Sequence, residues 1–149
     1  MSLLANKFSR KADVVNRGFS GYNVRMLKSV LPFIATKSNL EGVVALVIFI
    51  GANDANYVDI KPDQAVPIEE YDNVLGDIIN EFLDAGVERE KIVLISPPPV
   101  NASKWLEVLQ RSHGKENWPK SPKSQELTKQ YADRCGSVAK RSGCRFYYL

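Results

Sequence analysis

Cysteine and histidine are the scarcest chemistry-bearing residues of this 149-residue chain, with two of one and one of the other. Cys135 and Cys144 are too few for a disulfide framework and lack the spacing of a metal site. No apolar run approaches the roughly 18 residues of a membrane span. The opening Met1 to Ala5 has neither the basic flank nor the long apolar core of a signal peptide. Internal repeats and low-complexity tracts are also missing, which argues against solenoid and disordered classes. These absences make a cytoplasmic protein without metal or cofactor the expectation.

The composition is that of an ordinary globular protein, 44% apolar and 25% charged. The length predicts one domain over residues 1–149, large enough to bury most of its surface. A net charge of +3 conceals an asymmetry: residues 1–110 hold 11 Lys/Arg against 14 Asp/Glu, and residues 111–149 hold 9 against 3. The basic residues of the second part are spread over a loop and a helix with little aromatic interleaving. They read as a solvated face rather than a nucleic-acid surface.

The stretch that organises the chain is Val43 to Ile50, eight apolar residues followed by Gly51, Ala52, Asn53 and Asp54. β-branched residues dominate it and it is short for a helix, so it predicts a strand buried on both faces, as in a parallel sheet. Open α/β sheets bind ligands beyond the carboxyl ends of their strands, where Gly51, Asn53 and Asp54 stand. Asn and Asp also open ordinary turns, and an Asx turn accounts for the same residues.

Around this stretch, Leu3 to Lys11 reads as the end of a helix with Leu3, Leu4 and Phe8 on one face. Asp13 to Asn16 reads as a short strand. The two-glycine loop Arg17 to Asn23 leads to an amphipathic helix through Met26, Leu27, Val30, Leu31 and Ile34, which Pro32 should kink or shorten. Thr36 to Glu41 is a polar connection. The clearest helix carries Ile68, Tyr71, Val74, Leu75, Ile78, Ile79, Phe82 and Leu83 at 3–4 spacing, with Glu69, Glu70 and Asp72 at its start and Gly86 as C-cap. Lys91 to Ser96 predicts a second buried strand stopped by Pro97, Pro98 and Pro99. A short helix over Asn101 to Gln110, a polar loop over Arg111 to Lys120, and a helix capped by Ser121 with Pro122 first follow. Leu127, Tyr131, Val138 and Ala139 give that last helix a core face, Gly143 ends it, and Phe146 to Leu149 has strand composition. The alternation of strands and helices predicts an α/β fold with a parallel sheet.

Asn16-Arg17-Gly18-Phe19-Ser20-Gly21-Tyr22-Asn23 resembles the second block of the SGNH, or GDSL-type, ester hydrolases, and Gly51-Ala52-Asn53-Asp54 resembles their third block. The spacing of the two, the Val66 to Tyr71 helix entry and the Ile92 to Pro98 strand with its prolines are similar to the isoamyl acetate-hydrolysing esterase branch. The likeness covers roughly residues 3 to 143. It implies a flavodoxin-like three-layer α/β/α sheet of strand order 2-1-3-4-5 and a serine carboxylic esterase acting on small acyl esters, with a role in lipid metabolism. In the family a serine attacks the ester carbonyl, and a histidine held by an aspartate three residues before it is the base. The oxyanion is held by the serine N–H, a block-two glycine N–H and a block-three asparagine amide. By motif these last two are Gly21 and Asn53. Each such donor is worth about 10²–10³ in rate.

The Gly-Asp-Ser block expected before Leu3 and the Asp-x-x-His block expected after the last strand have no match here. The remaining residues offer no substitute triad. Ser20 lacks the closing glycine of a nucleophile elbow. His113 has Gln110 three residues before it and lies in a polar loop, Ser96 precedes prolines, and neither cysteine has a neighbour that lowers its pKa. The reading is therefore a truncated form of the family, lacking the first strand and the C-terminal catalytic segment and catalytically inactive. The alternative is a partner-binding pseudoenzyme. Without the first strand, Val43 to Ile50 either becomes an exposed apolar edge or pairs with Asp13 to Asn16. An exposed edge invites pairing with a second copy or with a full-length relative.

Overall fold

Only four residues of the apolar run become a strand. In the computed structural model, which describes residues 2–149, Leu46–Phe49 forms β1, Ile92–Ile95 forms β2 and Arg145–Tyr147 forms β3. The helices are α1 (Ser2–Lys7), α2 (Val24–Ile34), α3 (Lys37–Leu40), α4 (Ile68–Asp84), α5 (Ala102–His113) and α6 (Gln125–Ser142). The three strands form one parallel sheet in the order β1-β2-β3, with Ile48 opposite Leu94 and Leu94 opposite Phe146. Parallel neighbours need a crossover, and α4 supplies the first while α5 and α6 supply the second. The fold is α/β, as the alternation predicts.

One face of the sheet carries the core. Ile48, Ile92 and Leu94 pack there against Tyr71, Leu75, Ile78, Ile79 and Phe82 of α4 and Tyr131, Cys135, Val138 and Ala139 of α6. The α4 residues recur at helical spacing, so a single stripe meets the sheet. Small residues bring α6 close: a Cβ on Gly136 would lie 2.9 Å from the Phe146 ring of β3. Four basic residues sit on or beside this helical layer in ion pairs with α4. Arg134 meets Glu69, Arg141 meets Asp72, and Arg25 and Lys28 of α2 meet Glu70 and Asp77; Arg134 also reaches Asp72. Part of the basic excess after residue 110 thus answers the acidic face of α4. Gly86 follows the end of α4, where its N–H donates to Leu83 and that of Val87 to Phe82, the Schellman pattern.

The opposite face corrects the expectation of a strand buried on both sides. Val47 and Phe49 are each 56% exposed, because no helix covers that side of β1, and β1 is the edge of the sheet. Asp13 to Asn16 is not a strand. It runs as irregular, largely exposed chain and leaves β1 without a second neighbour. Leu3, Leu4 and Phe8 are exposed and give α1 no core face.

Smaller corrections concern ends. Thr36 caps a one-turn helix where a polar connection is expected, its side chain accepting from Asn39 N–H. α2 ends two residues past Pro32. α5 runs on to His113, so Arg111 to His113 belong to a helix rather than to the loop. Ser124, not Ser121, caps α6: its hydroxyl accepts the Leu127 N–H, and Pro122 lies outside the helix. Two Ser residues in one turn-like stretch offer the same local signal, and tertiary contact to Tyr57 selects the second. Among the described residues no helix is long and apolar enough to cross a membrane.

The two faces of the sheet should respond differently to substitution. Leu94→Ala, at a position with no exposed surface, is expected to cost about 2–5 kcal/mol. Val47→Thr, on the open face, is expected to stay within about 0.5 kcal/mol. Urea denaturation measures both, and a loss at Val47 as large as that at Leu94 would mean that its face is covered.

Candidate active site

The turn that leaves β1 is held tightly. Gly51 has φ +118°, and a Cβ there would lie 2.6 Å from the Pro97 ring and 2.8 Å from the Tyr71 hydroxyl. Only glycine satisfies both the left-handed backbone and the close approach. The Tyr71 hydroxyl donates to the Ile50 carbonyl at 3.3 Å and Ala55 N–H to the Gly51 carbonyl at 3.0 Å, closing the turn.

The Arg17 to Asn23 loop comes to the same place from the other side. Asn23 caps α2, its Oδ1 accepting from Met26 N–H at 3.0 Å. Its amide donates to the Gln64 carbonyl, and the Gln64 amide donates to the Gly21 carbonyl at 3.1 Å. Two bonds then join the loop to the turn. The Asn53 amide donates to the Tyr22 carbonyl at 3.0 Å, and Val24 N–H donates to Asp54 Oδ1 at 2.9 Å. Asn53 is therefore bonded to the residue next to Gly21. An amide nitrogen has two hydrogens, and the bond to Tyr22 uses one. Gly21 is exposed, and its N–H has no acceptor among the described residues.

Beneath these donors lies a buried charged group. Asp54 is fully buried; Oδ1 takes the Val24 N–H and Oδ2 has no hydrogen-bond partner among the described residues. Burial raises its pKa to about 6, opposed by the Val24 N–H, its own N–H, Lys123 and Arg25. Lys123 reaches in from the segment before α6 and donates to the Ala52 carbonyl. Burial brings its ammonium down to about 8 against the pull of Asp54. Burial also pushes Tyr131 up to about 12 and Cys135 up to about 11, so neither ionises near neutrality.

The other candidates stand apart. His113 is exposed in the last turn of α5, and its side chain bonds no serine among the described residues. Ser96 is buried, and its hydroxyl accepts the Leu149 N–H. Ser20 is exposed with no basic partner. Cys144 is raised by burial rather than activated. Two clefts, of about 480 Å³ beside Leu40, Val43 and Val87 and about 550 Å³ beside Asn80, Arg89 and Arg141, include neither Gly21 nor Asn53.

Two loops thus meet at the carboxyl end of β1. The family model of the GDSL-like lipase/acylhydrolases matches residues 1–149. The chain belongs to the GDSL-like lipase/acylhydrolase family. Among relatives of this family, the isoamyl acetate-hydrolyzing esterase 1 homolog of Mus musculus is 39% identical over 95% of this chain and 55% of its own length. The Homo sapiens homolog is 36% identical over 94% of this chain and 55% of its own. The chain thus spans about half the length of the relatives it matches. Among solved structures, a lipase/acylhydrolase from Enterococcus faecalis superposes with a TM-score of 0.65 over 97% of this chain and 62% of its own, at 21% identity. That likeness is one of fold.

Two features of the site escaped the sequence. Asp54 reads there as a residue beyond the carboxyl end of the strand or of an Asx turn, and its bond to Val24, 30 residues away, gives no local signal. Lys123 gives no local signal, because only the tertiary fold brings it to Ala52.

Asp54 makes a signed prediction. Its neutral form is favoured by folding, so its contribution is greatest below the ordinary carboxylate pKa and is lost as pH rises through about 6. The difference corresponds to about 3 kcal/mol. Denaturant melts from pH 4 to 7.5 should show wild type losing stability relative to Asp54→Asn as pH rises. A difference between the two that is flat, or that grows in favour of wild type, would contradict the buried carboxyl described.

Proposed function

We propose that residues 1–149 form the oxyanion-stabilising side of a carboxylic ester hydrolase site for small acyl esters, with Gly21 N–H and the Asn53 amide as donors. The observation that carries this reading is the Asn53–Tyr22 hydrogen bond, which brings the two family blocks together, while among the described residues the second Asn53 amide hydrogen and the Gly21 N–H have no acceptor. When a nucleophile adds to an ester carbonyl, the carbonyl oxygen becomes an alkoxide. Neutral donors fixed in advance lower the energy of that charge without reorganising. Both groups are neutral at every working pH, and Gly21 has no side chain to hold substrate away. The names of the relatives, esterases for isoamyl acetate among them, support short acyl and alcohol parts.

Nucleophile and base are not found among these residues, since the one histidine is exposed on α5 and bonds no serine. The 149-residue chain alone is therefore inactive in this reading. Two measurements test it. A serine-directed fluorophosphonate should label no residue, and short p-nitrophenyl esters should show no serine-dependent turnover. Methylphosphonate, whose tetrahedral oxygens imitate the oxyanion, should shift the Gly21 amide and Asn53 side-chain signals together in ¹⁵N spectra, with the effect lost in Asn53→Ala. Shifts confined to other residues would defeat the assignment.

A second reading, a non-catalytic protein that associates through its sheet edge, is favoured by the exposure of Val44 just before β1 and of Val47 and Phe49 on β1, whose outer edge has no partner strand among the described residues. Its occupant is a second copy or a longer relative, either adding a strand to the open edge. Sedimentation of the purified chain should show dimers or larger species, and Val47→Lys should shift them toward monomer. A wild-type monomer at high concentration would remove this reading.

A further inference from the structure

We infer that Asp54 is a positioning residue for the Gly21–Asn53 donor pair, acting by tying the start of α2 to the turn that follows β1. The inference rests on the reading of those two residues as oxyanion donors and adds the group that sets their spacing.

Three segments meet at Asp54. Its side chain takes the Val24 N–H, its main-chain carbonyl takes the Val66 N–H at 3.2 Å, and its own turn carries Asn53. Val24 opens α2, and the first N–H groups of a helix have no partner within it. Val24 is fully buried, so water cannot replace the carboxylate there. The bond lies one residue from the Asn53–Tyr22 bond on the turn side and two residues from it on the loop side. With both bonds made, the Gly21 loop has a fixed height over Asn53. With only the Asn53 bond, that amide is the sole tie on the side facing a ligand.

The charge on Asp54 gives this tie a signature. The groups that face it are Arg25 from α2, Lys123 from the segment before α6, Tyr71 from α4 and Tyr131 from α6, with Cys135 beyond Tyr71. The two cations favour the carboxylate. Burial opposes it, which brings the titration to about pH 6. A carboxylate accepts a hydrogen bond more strongly than a neutral carboxyl. As pH rises through that value, the bond to Val24 tightens while the global stability falls. A residue that only filled space in the core would show neither change.

The experiment is a ¹⁵N–¹H titration of the 149-residue chain from pH 5 to 7.5 without ligand. Val24 N–H, Gly21 N–H and the Asn53 side-chain amide are expected to move with one midpoint in wild type. In Asp54→Asn, which keeps an acceptor for Val24, all three should stop titrating while their signals stay dispersed. In Asp54→Ala, Gly21 and Asn53 signals should move from their wild-type places. If Asp54→Ala does not fold, Asp54→Asn decides the matter. Titration of Val24 alone, with Gly21 and Asn53 unmoved, would overturn the inference. Because no ligand is present, that failure is separate from a failure of methylphosphonate to bind.

Discussion

The hydrogen bond from Val24 N–H to the buried Asp54 carboxylate is the constraint on which the site depends. Without it the two glycine-bearing loops would meet only through an Asn53 amide at the surface, free to exchange with water. With it, a helix start and a strand end are held in one register from below. The arrangement uses two ordinary facts of backbone chemistry, that a helix begins with unpaired N–H groups and that a parallel strand ends in a sharp turn when glycine follows it.

The cost of that constraint is visible in the same place. A carboxylate with one oxygen unpartnered in the interior is expensive, and the fold keeps it through Lys123 and Arg25 rather than through full hydrogen bonding. Lys123 belongs to the segment that leads into α6, and it closes over the turn by bonding Ala52. The Pro122 carbonyl accepts Tyr57 N–H and Ser124 meets the Tyr57 hydroxyl, so this segment is stitched across the loop that follows Asn53. The site is thus framed by α2, by β1 and by the approach to α6, which are far apart in sequence.

How much of this was legible in the sequence depended on the range of the interactions. The α4 stripe from Tyr71 to Phe82 is periodic over several turns, and helical spacing alone places it. The second parallel strand is equally clear from Ile92 to Ile95, bounded by prolines. The resemblance of Asn16 to Asn23 and of Gly51 to Asp54 to two family blocks marked Gly21 and Asn53 before any contact was known. What failed was decided by neighbours. Val47 and Phe49 have the composition of buried residues, yet they lie open because nothing covers that face of β1. Asp13 to Asn16 has one β-branched pair and no partner strand to make it a strand. Ser121 and Ser124 carry the same local capping signal, and a tyrosine distant in sequence chooses between them. Lys123 was invisible for the same reason.

The account turns on the two donors sharing one side of the site. The most direct measurement is a through-space NMR cross-peak between the Gly21 amide proton and the Asn53 side-chain amide protons in the ligand-free chain. The account predicts that this cross-peak is present, since Asn53 is bonded to the Tyr22 carbonyl beside Gly21. Its absence in a chain where contacts between Val24 and Asp54 are observed would place the donors apart and contradict the site.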